Sequence, residues 1–74
     1  MDLPVIDMAA TGNNISDLRR NAGLKIRDLQ DIFGFSTPQA INRWIAGKSL
    51  PSVDHLVVLA KVLGTTVDDI LVVR

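Results

Sequence analysis

The sequence predicts an all-α domain built from five short helices. Apolar residues recur at intervals of three and four along most of the chain, which places them on one face of a helix. Glycines follow four of these segments, and glycine is the residue that most often ends a helix. A length of 74 residues with 47% apolar residues and no cysteine allows one core, without disulfides or cysteine-bound zinc. One small domain is therefore expected.

The first two helices are predicted from apolar spacing and from their end signals. The first spans residues 13–22, with Thr11 or Asn13 as the candidate N-cap and Gly23 as its end. The second spans residues 26–33 and ends at a glycine. The side chains expected to face the core are Ile15, Leu18, Ala22, Leu29, Ile32 and Phe33.

The remaining three helices start at good capping residues. The third is predicted over 37–46 after Ser36, the fourth over 53–63 after Ser52, and a short last helix follows Thr66. Trp44 shares a face with Ile41 and Ile45, which favours core packing over stacking on a nucleic-acid base. The other side chains expected to face the core are Val53, Leu56, Val57, Ala60, Leu63, Val67, Ile70 and Leu71.

Residues 1–12 are predicted to form an N-terminal arm and residues 13–74 the helical domain. The arm is either loose or a short strand, and both alternatives stay open. If it is a strand, Leu3–Met8 pairs with Leu71–Val73 and covers the apolar fourth helix; the alternative cover is a second copy in a homodimer. Because the arm lacks the basic start and long apolar run of a secretory signal, a cytoplasmic protein without membrane contact is expected.

Charge is distributed unevenly along a chain of zero net charge. Residues 1–18 carry three Asp and no basic residue, whereas residues 19–48 carry six Lys or Arg against two Asp. Residues 49–74 carry two basic residues and three Asp. The middle of the chain can therefore present a local positive face, which nucleic-acid binding requires, even though the sum is neutral.

An ordered set of residues from Asn13 through Val72 resembles the XRE family, the Cro and phage-repressor type of helix-turn-helix domain. The likeness covers about four-fifths of the chain and is specific as a set, although each piece alone is common. The residues that carry it are Ile15–Leu24, Asp28, Leu29, Gly34, Ile41–Trp44, Gly47, Lys48, Pro51, Ser52, Leu56, Leu59, Ala60, Leu63, Gly64 and Asp68–Leu71.

The resemblance implies a compact Cro-like fold whose third helix lies in the major groove of duplex DNA. The face of this helix opposite Ile41 and Trp44 is polar, and Arg, Gln and Asn are the residues that pair with guanine and adenine edges. Of its residues, Gln39 and Arg43 are the strongest candidates. The candidate base-reading residues are Thr37, Gln39, Asn42 and Arg43, and the candidate phosphate-contacting residues are Lys25, Arg27, Ser36 and Lys48.

Some positions depart from the family pattern. The turn before the third helix, Gly34–Thr37, is one residue longer than usual, and Gln30 stands where a small Ala is common. Ile26 replaces a Gln that commonly touches a phosphate. Ile45 replaces the Glu that often pairs with the arginine at position 19. Arg19 is therefore expected to pair with Asp31 or Asp69, or to turn toward solvent or phosphate.

The family resemblance and the basic middle segment together predict a stand-alone bacterial or phage transcriptional regulator. It is expected to bind DNA as a homodimer and to repress by occlusion. The alternative is a protein-interaction module on the same fold, such as an antitoxin or an adaptor that binds a partner protein.

No enzymatic activity, cofactor, metal site or small-molecule substrate is predicted. Ser52, Asp54 and His55 have the residue types of a hydrolase triad, but they lie within one helical turn, where adjacent side chains do not face one another. Ser52 is better explained as an N-cap and His55 as a solvent-facing or rim residue.

Overall fold

The computed structural model describes residues 1–74 and contains five helices and no sheet. The predicted all-α class is confirmed. No helix of the chain combines the length and apolar character needed to cross a membrane. The helices are α1 (Met8–Asn21), α2 (Ile26–Phe33), α3 (Gln39–Ile45), α4 (Val53–Leu63) and α5 (Val67–Ile70).

Helix α1 begins at Met8 and not at residue 13. Its N-cap is Asp7, whose carboxylate accepts a hydrogen bond from the backbone N–H of Ala10 at 3.0 Å. The predicted caps Thr11 and Asn13 are therefore wrong, and both lie inside the helix. Thr11 is fully buried and has another role: its hydroxyl accepts a hydrogen bond from the N–H of Val72 at 2.9 Å.

Helix α3 is shorter than predicted, whereas α2 and α4 have the predicted bounds. It begins at Gln39 after Pro38, so Ser36 is not its N-cap. Helix α4 is capped as expected, because the Ser52 hydroxyl accepts from the N–H of His55 at 3.3 Å. The Thr66 hydroxyl caps α5 by accepting from the N–H of Asp69 at 3.1 Å.

The core differs from the prediction mainly at α4. Val53 is 76% and Val57 57% exposed, while Leu59 is fully buried. Ile32 and Ala22, also expected to face inward, are exposed. The nine buried apolar residues of the core are Ile15, Leu29, Ile41, Trp44, Leu56, Leu59, Ala60, Leu63 and Ile70.

Two glycines allow α1 to pack closely on the end of α3. A Cβ placed on the buried Gly12 would lie 2.5 Å from the carbonyl oxygens of both Trp44 and Ile45. A Cβ on Gly47 would lie 2.9 Å from the Cα of Ala9, and Gly47 also has a φ of +73°, which L side chains rarely adopt. Larger residues at these positions would push α3 away from α1.

The two chain ends pair with each other. Ile6 and Val73 form an antiparallel bridge, and the N–H of Asp7 donates to the carbonyl of Val72 at 2.8 Å. The predicted pairing of the two ends is thus confirmed for this short stretch. The expected cover of α4 by the arm is not seen at Val53, Val57 and Val58, which remain exposed.

Candidate nucleic-acid interface

The outer side of α3 is polar and has no partner within the chain. Gln39, Asn42 and Arg43 are exposed, and none of their side chains makes a hydrogen bond or an ion pair. Thr37 is exposed just before the helix, where its hydroxyl accepts from the N–H of Gln39 at 3.4 Å. All four predicted base-reading residues therefore lie together at one surface, with most of their donors and acceptors free.

Two shallow grooves meet on this surface, and Gln39 and Arg43 border both of them. These two residues are one helical turn apart, so their side chains point the same way. The first groove is lined by Gly34, Phe35, Ser36, Thr37, Gln39, Ala40 and Arg43. The second is lined by Pro38, Gln39, Asn42, Arg43, Ala46 and Lys48.

The predicted phosphate-contacting residues fall into two groups. Ser36 and Lys48 each border one of the grooves, beside the base-reading candidates. Lys25 and Arg27 lie at the start of α2 and border neither groove. Lys25 forms no ion pair, whereas Arg27 makes an exposed pair with Asp31 at 3.5 Å.

The start of α2 is capped without a Ser or Thr at the capping position. The Asp28 carboxylate accepts a hydrogen bond from the backbone N–H of Lys25 at 2.7 Å. A carboxylate in the first turn also complements the positive end of the helix dipole. Lys25 can therefore occupy the N-cap with its ammonium group free in solvent.

All the aromatic rings of the chain form one cluster behind the interface. Phe33 and Phe35 stack at 5.3 Å between ring centroids, and Phe33 meets the buried Trp44 edge-on at 5.6 Å. The His55 ring contacts all three, with centroids 5.2 to 5.7 Å away. The expected core position of Trp44 is confirmed. The cluster joins α2, the turn, α3 and α4, so it holds the helix-turn-helix unit on the body of the domain.

His55 and Ser52 are thereby accounted for as structural residues. His55 is half-buried against the aromatic rings, which matches a rim position and not a solvent-facing one, and the Ser52 hydroxyl caps α4 as expected. No group of three or more His, Cys, Asp or Glu side chains is positioned to hold a metal ion.

Arg19 pairs with neither Asp31 nor Asp69, and it is half-buried instead of turned fully toward solvent, the other expected arrangement. Its Nη1 donates to the carbonyl of Leu24 at 2.8 Å, and its Nε is buried without a hydrogen bond. Because Ile45 packs against the core instead of supplying a carboxylate, the guanidinium holds the loop between α1 and α2. Asp31 pairs with Arg27 instead.

One of three comparisons with known proteins gives a match, and this match agrees with the geometry. Neither the curated proteins nor the solved structures gave a match to the chain. A family model described as helix-turn-helix matches residues 15–70, which is most of the chain and includes α2, the turn and α3. This family comprises DNA-binding transcription regulators and is not a family of enzymes. The chain therefore belongs to the XRE family of helix-turn-helix DNA-binding proteins.

Proposed function

We propose that this protein binds duplex DNA sequence-specifically and that α3 enters the major groove. The observation that carries the proposal is the outer side of α3, where Gln39, Asn42 and Arg43 are exposed side by side without internal partners. Side chains that are not held within the protein are free to bond base edges. The major groove of B-DNA is wide enough to admit a helix.

Each side chain has a role that follows from its hydrogen-bonding groups. Arg43 donates two parallel N–H bonds to O6 and N7 of a guanine, and Gln39 or Asn42 pairs with N6 and N7 of an adenine. Thr37 offers a hydroxyl and a methyl group at the start of the helix, which suit a polar base edge or a thymine methyl. A good bidentate pair discriminates against a wrong base by about 1–3 kcal/mol.

Four residues contact phosphates and fix the position of the protein along the DNA without reading its sequence: Lys25, Arg27, Ser36 and Lys48. Lys48 and Ser36 are placed best, since they border the grooves that contain Gln39 and Arg43. Lys25 and Arg27 reach the backbone from the start of α2, with Arg27 exchanging Asp31 for a phosphate. Exchanging that partner costs little, because an exposed ion pair contributes at most about 1 kcal/mol.

The protein acts as a homodimeric repressor in the cytoplasm, where its operator lies. Two copies related by two-fold symmetry place their recognition helices in successive major grooves, about 34–36 Å apart. Occupied half-sites then exclude other proteins from the same DNA. The expected operator is accordingly an inverted repeat.

Selection of bound fragments from random duplex DNA at moderate salt tests this function. The wild-type protein is expected to enrich a short motif arranged as an inverted repeat, and Arg43→Ala is expected to lose that preference. Arg20→Ala is the matched control, because Arg20 is exposed on α1 and pairs with Asp17. No enrichment by the wild type, and no binding even at low salt, would contradict the proposal.

A second candidate function is a protein-interaction module, which the outer side of α4 favours. Val53, Val57 and Val58 are exposed there, 40% or more in each case, and the net charge of zero adds no general attraction for DNA. A module of this kind would tolerate Arg43→Ala and would lose partner binding on substitution of Val58, Val62 or Val72.

A further inference from the structure

Gln30 holds Phe35 with two hydrogen bonds across the turn between α2 and α3. The backbone carbonyl of Gln30 accepts from the N–H of Phe35 at 3.0 Å. Its side-chain Nε2 donates to the carbonyl of Phe35 at 3.2 Å. Both polar groups of the Phe35 backbone are thus bonded to one half-buried residue of α2.

Phe35 is the last residue of the turn whose backbone is fixed before α3 begins. The N–H groups of Ser36 and Thr37 donate no hydrogen bond, and Pro38 has no N–H. The next backbone N–H groups that donate are those of Gln39, to the Thr37 hydroxyl at 3.4 Å, and of Asn42, to the carbonyl of Pro38 at 3.0 Å. The position of Phe35 therefore limits where the first turn of α3 can lie.

The ring of Phe35 connects this fixed point to the interface. It stacks on Phe33 of α2 and meets the buried Trp44 of α3 edge-on, with centroids 6.0 Å apart. Phe35 also borders the first of the two grooves described above, beside Gln39 and Arg43. A shift of Phe35 would consequently move the aromatic contact and the groove wall together.

We infer that Gln30 is a positioning residue for sequence recognition, acting through Phe35 on the start of α3. The inference rests on the proposed function and deepens it. Gln30 does not touch DNA in this scheme. Its side-chain hydrogen bond determines whether Gln39 and Asn42 reach base edges in the right geometry, and loss of this bond lowers discrimination between sequences.

Gln30→Met removes the donor while keeping a side chain of similar length, and Asn14→Ala is the matched control. Asn14 also uses a side-chain amide to hold backbone carbonyls, at 2.7 Å from Asp69 and 3.0 Å from Ile70. Its contacts lie between α1 and α5, away from the turn. The two variants thus lose a comparable interaction at different places.

The measurement is the ratio of affinities for the selected motif and for a scrambled duplex of the same length. Gln30→Met is expected to lower this ratio about tenfold, the equivalent of one misaligned base pair contact, with affinity for the scrambled duplex unchanged. Asn14→Ala is expected to keep the wild-type ratio. An unchanged ratio in Gln30→Met, or an equal fall in both variants, would overturn the inference.

Amide chemical shifts of the free protein test the positioning step without DNA. Gln30→Met is expected to move the backbone resonances of Gln39 and Asn42, and Asn14→Ala to leave them in place. Unmoved resonances in Gln30→Met would overturn the inference even if DNA reading is established. Moved resonances in a protein whose wild type selects no motif would instead contradict the proposed function.

Discussion

The two sides of α3 differ in almost every respect. The inner side carries Ile41 and Trp44, both buried, and α1 approaches it so closely that only Gly12 fits beneath the carbonyls of Trp44 and Ile45. The outer side carries exposed polar residues whose side chains have no partner in the chain. One helix of seven residues thus combines a tightly packed face with an open one.

Under the proposed function, this difference separates the residues that fold the protein from those that recognise DNA. A short helix is unstable alone, so α3 depends on tertiary packing of its inner side. The outer side can then vary without loss of the fold, which is how one scaffold serves many DNA sequences. Substitutions on the two sides should accordingly affect different measurements.

Trp44→Ala should give the largest effect, about 3–5 kcal/mol of unfolding free energy, because it empties the centre of the aromatic cluster. A chain of 74 residues has roughly 4–11 kcal/mol in total, so this loss would remove a large share of the stability. Urea denaturation followed by circular dichroism measures this. Asn42→Ala on the outer side is the control and should stay within about 0.5 kcal/mol of wild type. A similar loss of unfolding free energy in both variants would contradict the distinction between the inner and outer sides of α3.

Gly12→Ala should be destabilising by about 2–3 kcal/mol, since its Cβ would collide with two backbone carbonyl oxygens. Helix propensity alone predicts the opposite sign, a gain of about 1 kcal/mol for Gly to Ala inside a helix. The sign of the change in thermal midpoint therefore distinguishes the two explanations. A higher midpoint would mean that α1 and α3 are not in close contact.

The same glycine shows why part of the fold escaped prediction. The apolar spacing that begins at Ile15, with Thr11 or Asn13 as the cap, predicts a helix start at residue 13. Asp7 followed by Met8, Ala9 and Ala10 is an equally good start by capping and propensity. The choice between the two depends on α3, which requires a glycine at this point of α1, and that requirement is not local in sequence.

Helix bounds were predictable where both ends carry local signals. Helix α4 begins after Ser52 and ends at Gly64, and both signals were correctly interpreted. Its inward face was predicted only in part: Leu56, Ala60 and Leu63 are buried as expected, whereas Val53 and Val57 are exposed. Because α4 is apolar nearly all round, periodicity cannot choose between Val57 and Leu59. Packing decides that choice in favour of Leu59.

The candidate interface also has a part that the sequence predicts and a part that it does not. The exposed position of Gln39 and Arg43 followed from the apolar residues on the opposite side of α3. The bond between Gln30 and Phe35 and the contacts of His55 join residues on different elements. No sequence pattern signals these contacts, although two Phe residues on either side of a glycine, at 33 and 35, mark the turn as aromatic.

Arg43→Lys should leave stability unchanged and lower discrimination between sequences by about 1–3 kcal/mol. Lysine keeps the charge but loses the planar fork that pairs with a guanine. Titration of the selected motif and of a duplex with the guanine replaced measures the change. Arg20→Lys on α1 should preserve discrimination. An unchanged preference in Arg43→Lys would show that Arg43 contributes charge alone.

Lys25→Gln should give the smallest effect, a uniform weakening for all sequences. Lys25 has no ion pair, and its ammonium is free to release one counterion on binding a phosphate. The slope of log affinity against log salt should fall in magnitude by about 0.9, roughly a 3.5-fold change in relative affinity between 50 and 200 mM salt. Lys61→Gln on α4, away from α3, should keep the wild-type slope.

If both variants lower the slope equally, the positive charge acts over the whole surface and not through a contact at the start of α2. If neither variant lowers the slope, Lys25 makes no phosphate contact, and the position of α3 on DNA depends on the other three candidates, Arg27, Ser36 and Lys48.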